Sequence, residues 1–211
     1  MNSVLDSDSR LLVRLAAAIA GADEMNTRRV IDEVVTANVS AELVDEVILQ
    51  SYLFAGFPRT LNAARMWRAG SGIAAPERDD GASVRNAAKW ESLGEKTCEI
   101  VYGDSYEMLR NNVRQLHPAL DAWMIADGYG KVLSRQALDL ERRELCIVGA
   151  CAASGQQRQL HSHLHGALNS GASSEKVYAA LDSLADLVSE ADLVRYRTLL
   201  TRVLSSRENV H

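Results

Sequence analysis

Residues 41–54, AELVDEVILQSYLF, repeat their apolar side chains at helical spacing behind Ser40, a residue type that caps helix starts. The same period marks residues 11–20, LLVRLAAAIA, as a buried helix. Gly56-Phe57-Pro58 closes the first run, and a second helix is expected from Pro58 through Ala63, Met66 and Trp67, because the proline ring fits a first helical turn. Further helices are expected near 86–102, 105–115 and 118–128, with His117-Pro118 as a boundary and Tyr129-Gly130 as a stop. Residues 141–153 and 157–169 read as a helical hairpin around Ser154-Gly155. Ser173 then caps a helix to about Leu187, and a last one runs to about Leu204. No stretch alternates polar and apolar residues in the manner of a strand. With aromatic residues at 5% and three prolines in 211 residues, the chain reads as all-α.

Residues 70–84, GSGIAAPERDDGASV, mix Gly, Pro, Ser and adjacent acids and form the one convincing linker. They divide the chain into a shorter part, 1–69, and a longer part, 85–211. A shift of 133 residues carries Arg10, Leu12, Ala17, Ala20, Ser40 and Glu42 onto Arg143, Leu145, Ala150, Ala153, Ser173 and Glu175 without a gap. An internal duplication is therefore expected. In that register Glu144 falls on Leu11 and His163 on Val30, so only the second copy keeps polar residues there.

Charge narrows the partners. Lys and Arg total 23 against 28 Asp and Glu, a net charge of −5 with no long run of like charge, which argues against nucleic acid. The opening residues, MNSVLDSDSR, have neither a basic nor an apolar leader region, and no apolar run approaches the roughly 20 residues of a membrane span. A cytoplasmic protein without membrane contact is expected. Cys98, Cys146 and Cys151 lack CxxC spacing, so neither a disulfide framework nor a zinc knuckle is indicated.

Glu144 and His163 stand on consecutive helices joined by a tight turn, each roughly 10–15 Å from it, so an antiparallel hairpin brings them abreast. A buried carboxylate beside a buried imidazole fixes its tautomer and makes a proton shuttle. The same pair equally serves as a satisfied structural contact. His163 shares a helix stripe with Gln156, Gln159 and Leu160, whereas His161 and His165 point elsewhere; their i, i+4 spacing lacks a third ligand, and no metal is expected. Cys151, seven residues after Glu144, shares its stripe and reads as a small buried side chain, with a redox role as the alternative. Arg135, Arg142 and Arg143 suit capture of a carboxylate, or else surface pairing with Asp139 or Glu141. Tyr52, Phe54, Phe57 and Trp67 read as core or subunit interface.

Residues 129–173, YGKVLSRQALDLERRELCIVGACAASGQQRQLHSHLHGALNSGAS, closely resemble the carboxymuconolactone decarboxylase and alkylhydroperoxidase D-like family. The likeness rests on Tyr129-Gly130, Arg135, Arg143-Glu144-Leu145, His163, Gly166-Ala167-Leu168 and Gly171, with His117-Pro118 and EVILQSYLFAGFP at 46–58 as further family-like segments. The resemblance implies a helical bundle of two fused repeats. The second segment follows the histidine in the family but lies in the first copy here, while its counterpart after His163, EKVYAALDSLADLVS, is degraded. Each copy keeps what the other has lost, and one composite site is expected. Peroxidase members resemble Glu-x11-Cys-x2-Cys-x3-His, a spacing that places Gln156 and Gln159 on the thiol positions. An amide can act neither as attacking nor as resolving thiol.

The resemblance thus implies the decarboxylase-like branch, without metal or organic cofactor. His163 would move the proton, Glu144 would hold its tautomer, Arg135 or Arg143 would bind a substrate carboxylate, and Gln156 and Gln159 would donate hydrogen bonds. A small carboxylated lactone or β-keto acid is the expected substrate, and a homo-oligomer the expected assembly. The competing readings are a peroxidase-like oxidoreductase relying on Cys151, and a non-catalytic oligomeric binding protein.

Overall fold

A computed structural model describes residues 4–208; Met1, Asn2 and Ser3 of the opening stretch lie outside the described residues. Among the described residues ten α-helices follow one another: α1 (Ser7–Gly21), α2 (Glu24–Thr36), α3 (Ala41–Ser71), α4 (Ala87–Tyr102), α5 (Tyr106–Leu116), α6 (Pro118–Trp123), α7 (Leu140–Ala153), α8 (Gln157–Asn169), α9 (Ser174–Asp182) and α10 (Glu190–Glu208). A π-helical segment, Met124–Leu133, joins α6 to α7. Among the described residues there is no strand, so the all-α reading holds. None of their helices is long and apolar enough to cross a membrane.

The helices begin where short polar side chains take up unpaired backbone N–H groups. Asp6 accepts from Ser9 N at 2.8 Å, Asp139 from Arg142 N at 2.9 Å and Ser173 from Lys176 N at 3.3 Å. Ser40 holds the N-cap position of α3 but its side chain makes no capping bond. Gly56, at φ 75° and ψ 163°, breaks the helical geometry of α3, and the helix resumes through Pro58. The linker contains two 3-10 turns, Asp80–Ala82 and Val84–Asn86, and Asp79 pairs with Arg135 at 3.0 Å.

The shift of 133 residues reappears in the helix boundaries. It carries α2 onto α8 at both ends, and it carries the starts of α1 and α3 onto those of α7 and α9. α1 and α7 are buried along almost their whole length and run side by side in the same direction. Arg142 Nε donates to Ser9 Oγ at 2.9 Å near the two starts, and Gly21 lies against Ala153 O at the two ends, where a Cβ would come within 2.2 Å of that oxygen. One hydrophobic core therefore spans both halves of the chain.

Two expectations need correction. Tyr129-Gly130 is no stop, because both residues lie inside the π-helical segment. Gly130 is there for close approach: a Cβ at this position would sit 1.8 Å from Trp90 O, and one at Gly94 would sit 2.0 Å from Ile125 O. The two glycines lock α4 against the π-segment. The helix from Ser174 ends at Asp182 rather than near Leu187. Ser183 Oγ donates back to Ala180 O at 2.6 Å, and Arg14 takes Ser183 O at 2.6 Å and Asp186 Oδ2 at 2.9 Å, drawing the segment out of helical register.

Candidate functional site

Glu144 lies in the middle of α7 and His163 in the middle of α8, and the turn through Gly155, at φ 70°, folds the two helices against each other. Glu144 is fully buried and His163 is 6% exposed. Their hydrogen bond, His163 Nδ1 to Glu144 Oε2, is 2.8 Å long. A carboxylate only accepts, so Nδ1 carries the shared proton and Nε2 is the nitrogen left to exchange one. Gly166, one turn after His163, makes room for this contact: a Cβ there would come within 2.4 Å of Glu144 Oε2 and 2.8 Å of Val101 Cγ1. The other carboxylate oxygen, Glu144 Oε1, is buried with no hydrogen-bond partner.

The first half of the chain reaches this pair. Phe54 of α3, two residues before the break at Gly56, meets the His163 ring edge to face at 5.8 Å. Phe54, read from sequence as core or interface, thus forms one wall of the site. Tyr102 of α4 and Tyr129 of the π-segment stand edge to face at 6.2 Å. Burial pushes the Tyr102 phenol up to about 12, and burial with the charges of Tyr102 and Glu144 raises Tyr129 well above the usual phenol range. Burial, reinforced by the charge of Glu144, likewise pushes the thiols of Cys98 and Cys151 up to about 12. These thiols are the opposite of low-pKa nucleophiles, and all three cysteines are unpaired.

The arginines stand elsewhere in the network than sequence spacing suggested. Arg143 is fully buried; its Nη2 donates to Glu46 Oε2 at 2.6 Å, its Nη1 to Gln50 Oε1 at 3.2 Å and its Nε to Leu138 O at 3.0 Å. Arg135 grips the same carboxylate through Nη2 to Oε1 at 2.7 Å and Nε to Oε1 at 2.9 Å. The carboxylate that the two guanidinium groups hold is the chain's own. Burial opposes ionisation of Glu46, yet the hydrogen bonds and charges of Arg135 and Arg143 outweigh it and hold the carboxyl below its ordinary value. Glu46 and Gln50 escaped the sequence reading. Their signal was a carboxylate and an amide one turn apart inside an apolar run, EVILQ, which together demand a buried donor partner.

Gln156 and Gln159 are exposed, at and just after the start of α8, and do not line a buried stripe with His163. His161 and His165 face each other edge to face at 5.1 Å, and burial lowers His165 from its usual value. Among the described residues no three His, Cys, Asp or Glu side chains gather as metal ligands.

Glu144, His163 and the π-segment all fall inside one recognised sequence segment. Residues 118–192 match the model of the carboxymuconolactone decarboxylase family. The matched segment runs from the first residue of α6 into α10, so α1 to α3 lie outside it. Over 150 residues the chain is 28% identical to Peroxisomal protein 2 of Schizosaccharomyces pombe, covering 70% of each chain.

Proposed function

We propose that this chain catalyses cofactor-independent decarboxylation or isomerisation of a small carboxylated lactone or β-keto acid, with His163 as the proton shuttle. The observation that carries this reading is the buried 2.8 Å contact between His163 Nδ1 and Glu144 Oε2 in a family segment whose thiol positions are Gln156 and Gln159. Glu144 fixes the tautomer and stabilises the imidazolium. In a decarboxylation, the bond from the reacting carbon to the carboxylate breaks, carbon dioxide leaves, and the electron pair is held as an enolate until the carbon takes a proton from His163 Nε2. In an isomerisation, the same nitrogen removes and returns the proton.

The substrate carboxylate falls to Arg135, whose side chain keeps 24% exposure and whose outer partner, Asp79, comes from the linker. Gln156, the N-cap of α8, and Gln159 in its first turn, both exposed, are the remaining donors for a lactone or carboxylate oxygen. Arg143, sealed against Glu46, acts in this reading as the support of Arg135.

The assembly in this reading is a homo-oligomer. Leu49 and Phe57 are 42% and 63% exposed on α3, and α5 carries Met108 and Leu116 to solvent without burying a single residue. A solution mass above the 23.1 kDa of one chain supports this, and a strict monomer at micromolar concentration contradicts it.

The test of the reaction is carbon dioxide release, or a change in ring absorbance, from a panel of carboxylated lactones and β-keto acids, run beside hydroperoxides with a dithiol reductant. Turnover in the first set supports the reading. Turnover confined to hydroperoxides, abolished in Cys151→Ala, replaces it with the thiol-dependent one.

A further inference from the structure

Glu46 is one carboxylate between two guanidinium groups. Arg143 Nη2 donates to its Oε2 at 2.6 Å, and Arg135 donates to its Oε1 through Nη2 at 2.7 Å and Nε at 2.9 Å. Two cations and one anion leave a single positive charge at the edge of the core, where an unneutralised charge is costly. Asp79 neutralises it. Its Oδ2 lies 3.0 Å from Arg135 Nη2 and its Oδ1 accepts from Nη1 at 3.3 Å, so both oxygens engage the outer end of the guanidinium as those of a free carboxylate would.

The linker, not a helix of the bundle, supplies this carboxylate. Residues 72–82 are exposed throughout. The other polar contacts around Asp79 close on the linker itself: Ala82 N donates to Asp79 O at 3.2 Å, Asn86 Nδ2 to Asp80 O at 2.7 Å and Arg78 Nη2 to Asp80 Oδ1 at 2.9 Å. Gly81 lies over the ion pair, where a Cβ would come within 3.0 Å of Asp79 Oδ1 and 3.1 Å of Arg135 Nη1, so the segment settles on the guanidinium because no side chain intervenes. The side chains of Arg135 and Asp79 are 24% and 35% exposed, against 4% and 0% for Glu46 and Arg143. A pair this open is worth little, and another carboxylate can take the place of Asp79. The position also connects to the Glu144–His163 pair: Glu46, Gln50 and Phe54 follow one another at four-residue spacing on one face of α3, with Arg135 on Glu46 at one end and His163 on Phe54 at the other.

We infer that Asp79 is the chain's own occupant of the carboxylate site on Arg135, and that the linker is a strap which a carboxylated ligand displaces in order to bind. The exchange conserves charge: the incoming anion neutralises Arg135, and Asp79 passes to solvent. This rests on Arg135 as the partner of the substrate carboxylate, but it is testable with a carboxylate that does not react.

The probe is acetate, added to the full chain in place of chloride at constant ionic strength, and the readout is solvent exchange of the Ala82 and Ser83 amides, which bond back to Asp79 O and Asp80 O. In the wild type the exchange is expected to quicken with acetate and to level off at the rate found in Asp79→Asn, where the strap is already released. In Asp79→Asn acetate should bind about 1.5- to 5-fold more tightly, followed at the Arg135 Nε–H resonance, because the competing ion pair is worth about that factor. Arg135→Gln, which leaves Arg143 and Glu46 as a neutral pair, should show fast exchange and no response to acetate. Exchange that acetate leaves unchanged in the wild type, or that is no faster in Asp79→Asn, overturns the inference. Displacement by acetate in a protein that turns over no member of the substrate panel supports the strap and removes the reaction. Turnover without displacement, and with the same KM in Asp79→Asn as in the wild type, leaves the reaction and removes the strap.

Discussion

Glu46→Gln isolates the buried ion network from the catalytic pair. Glu46 is 3% exposed and Arg143 is fully buried, with 2.6 Å between Arg143 Nη2 and Glu46 Oε2. Removing the charge of Glu46 leaves the Arg143 guanidinium in the core with only Gln50 and carbonyl oxygens as acceptors. Breaking a buried pair from one side costs about 3–5 kcal/mol, because the surviving charge is uncompensated. In a chain of this size each kcal/mol moves the melting temperature by about 2–4 °C, so a fall of roughly 6–20 °C is expected at pH 7. The assay is thermal unfolding followed by helical circular dichroism. Acid should act through the same group. Because Arg135 and Arg143 depress the Glu46 carboxyl in the folded state, its contribution is present above the ordinary glutamate value of 4.5 and is lost as pH falls through the depressed one. The wild type should therefore lose stability below about pH 4.5 more steeply than Glu46→Gln does. Replacing the pair together, Glu46→Leu with Arg143→Met, should recover much of the loss, since no charge is left in the core and Arg135 keeps Asp79 and its access to solvent. A melting temperature for Glu46→Gln within about 2 °C of wild type would refute the account of this network.

Gly166→Ala should disable the site with little change elsewhere: its Cβ would lie 2.4 Å from Glu144 Oε2, so the carboxylate must swing away from His163. The expected cost is about 1–3 kcal/mol in chemical denaturation together with loss of the His163 Nδ1–H resonance, and an unchanged resonance would count against the packing argument. Cys151→Ala should leave turnover of carboxylated substrates within about twofold, because a buried thiol pushed up to about 12 supplies neither nucleophile nor proton near neutrality. A large loss in steady-state assays of that variant would restore the sulfur to the mechanism.

Most helices were legible because period and caps are local; α2, Glu24–Thr36, was not among those expected. Asp6, Asp139 and Ser173 each stand one residue before a helix and bond its first turn, and the Glu144–His163 contact followed from the length of the two arms of a hairpin. What required the fold was whatever depended on a distant partner. Arg135 and Arg143 looked free because Glu46, their shared acceptor, lies 89 and 97 residues away. Gln156 and Gln159 looked inward because the helix stripe was extended past the point where α8 leaves the core. Tyr129-Gly130 looked like a stop because a glycine needed for backbone contact with Trp90 resembles, in sequence, a glycine needed for a turn. The end of α9 was set by Arg14, 169 residues from the carbonyl it takes.

The central claim is that the imidazole of His163 moves a proton, and the most direct measurement is turnover by His163→Gln set beside its melting temperature. Glutamine keeps some hydrogen bonding toward Glu144 but cannot shuttle a proton near neutral pH, and general acid–base catalysis is worth about 10²–10⁴-fold. On the best substrate of the carboxylated panel, His163→Gln is expected to lose activity by about that factor while still unfolding cooperatively, whereas His161→Gln and His165→Gln, one on each side of it, keep theirs. Full turnover in His163→Gln, or a variant whose only defect is a lowered melting temperature, would contradict the claim and return the pair to a purely structural role.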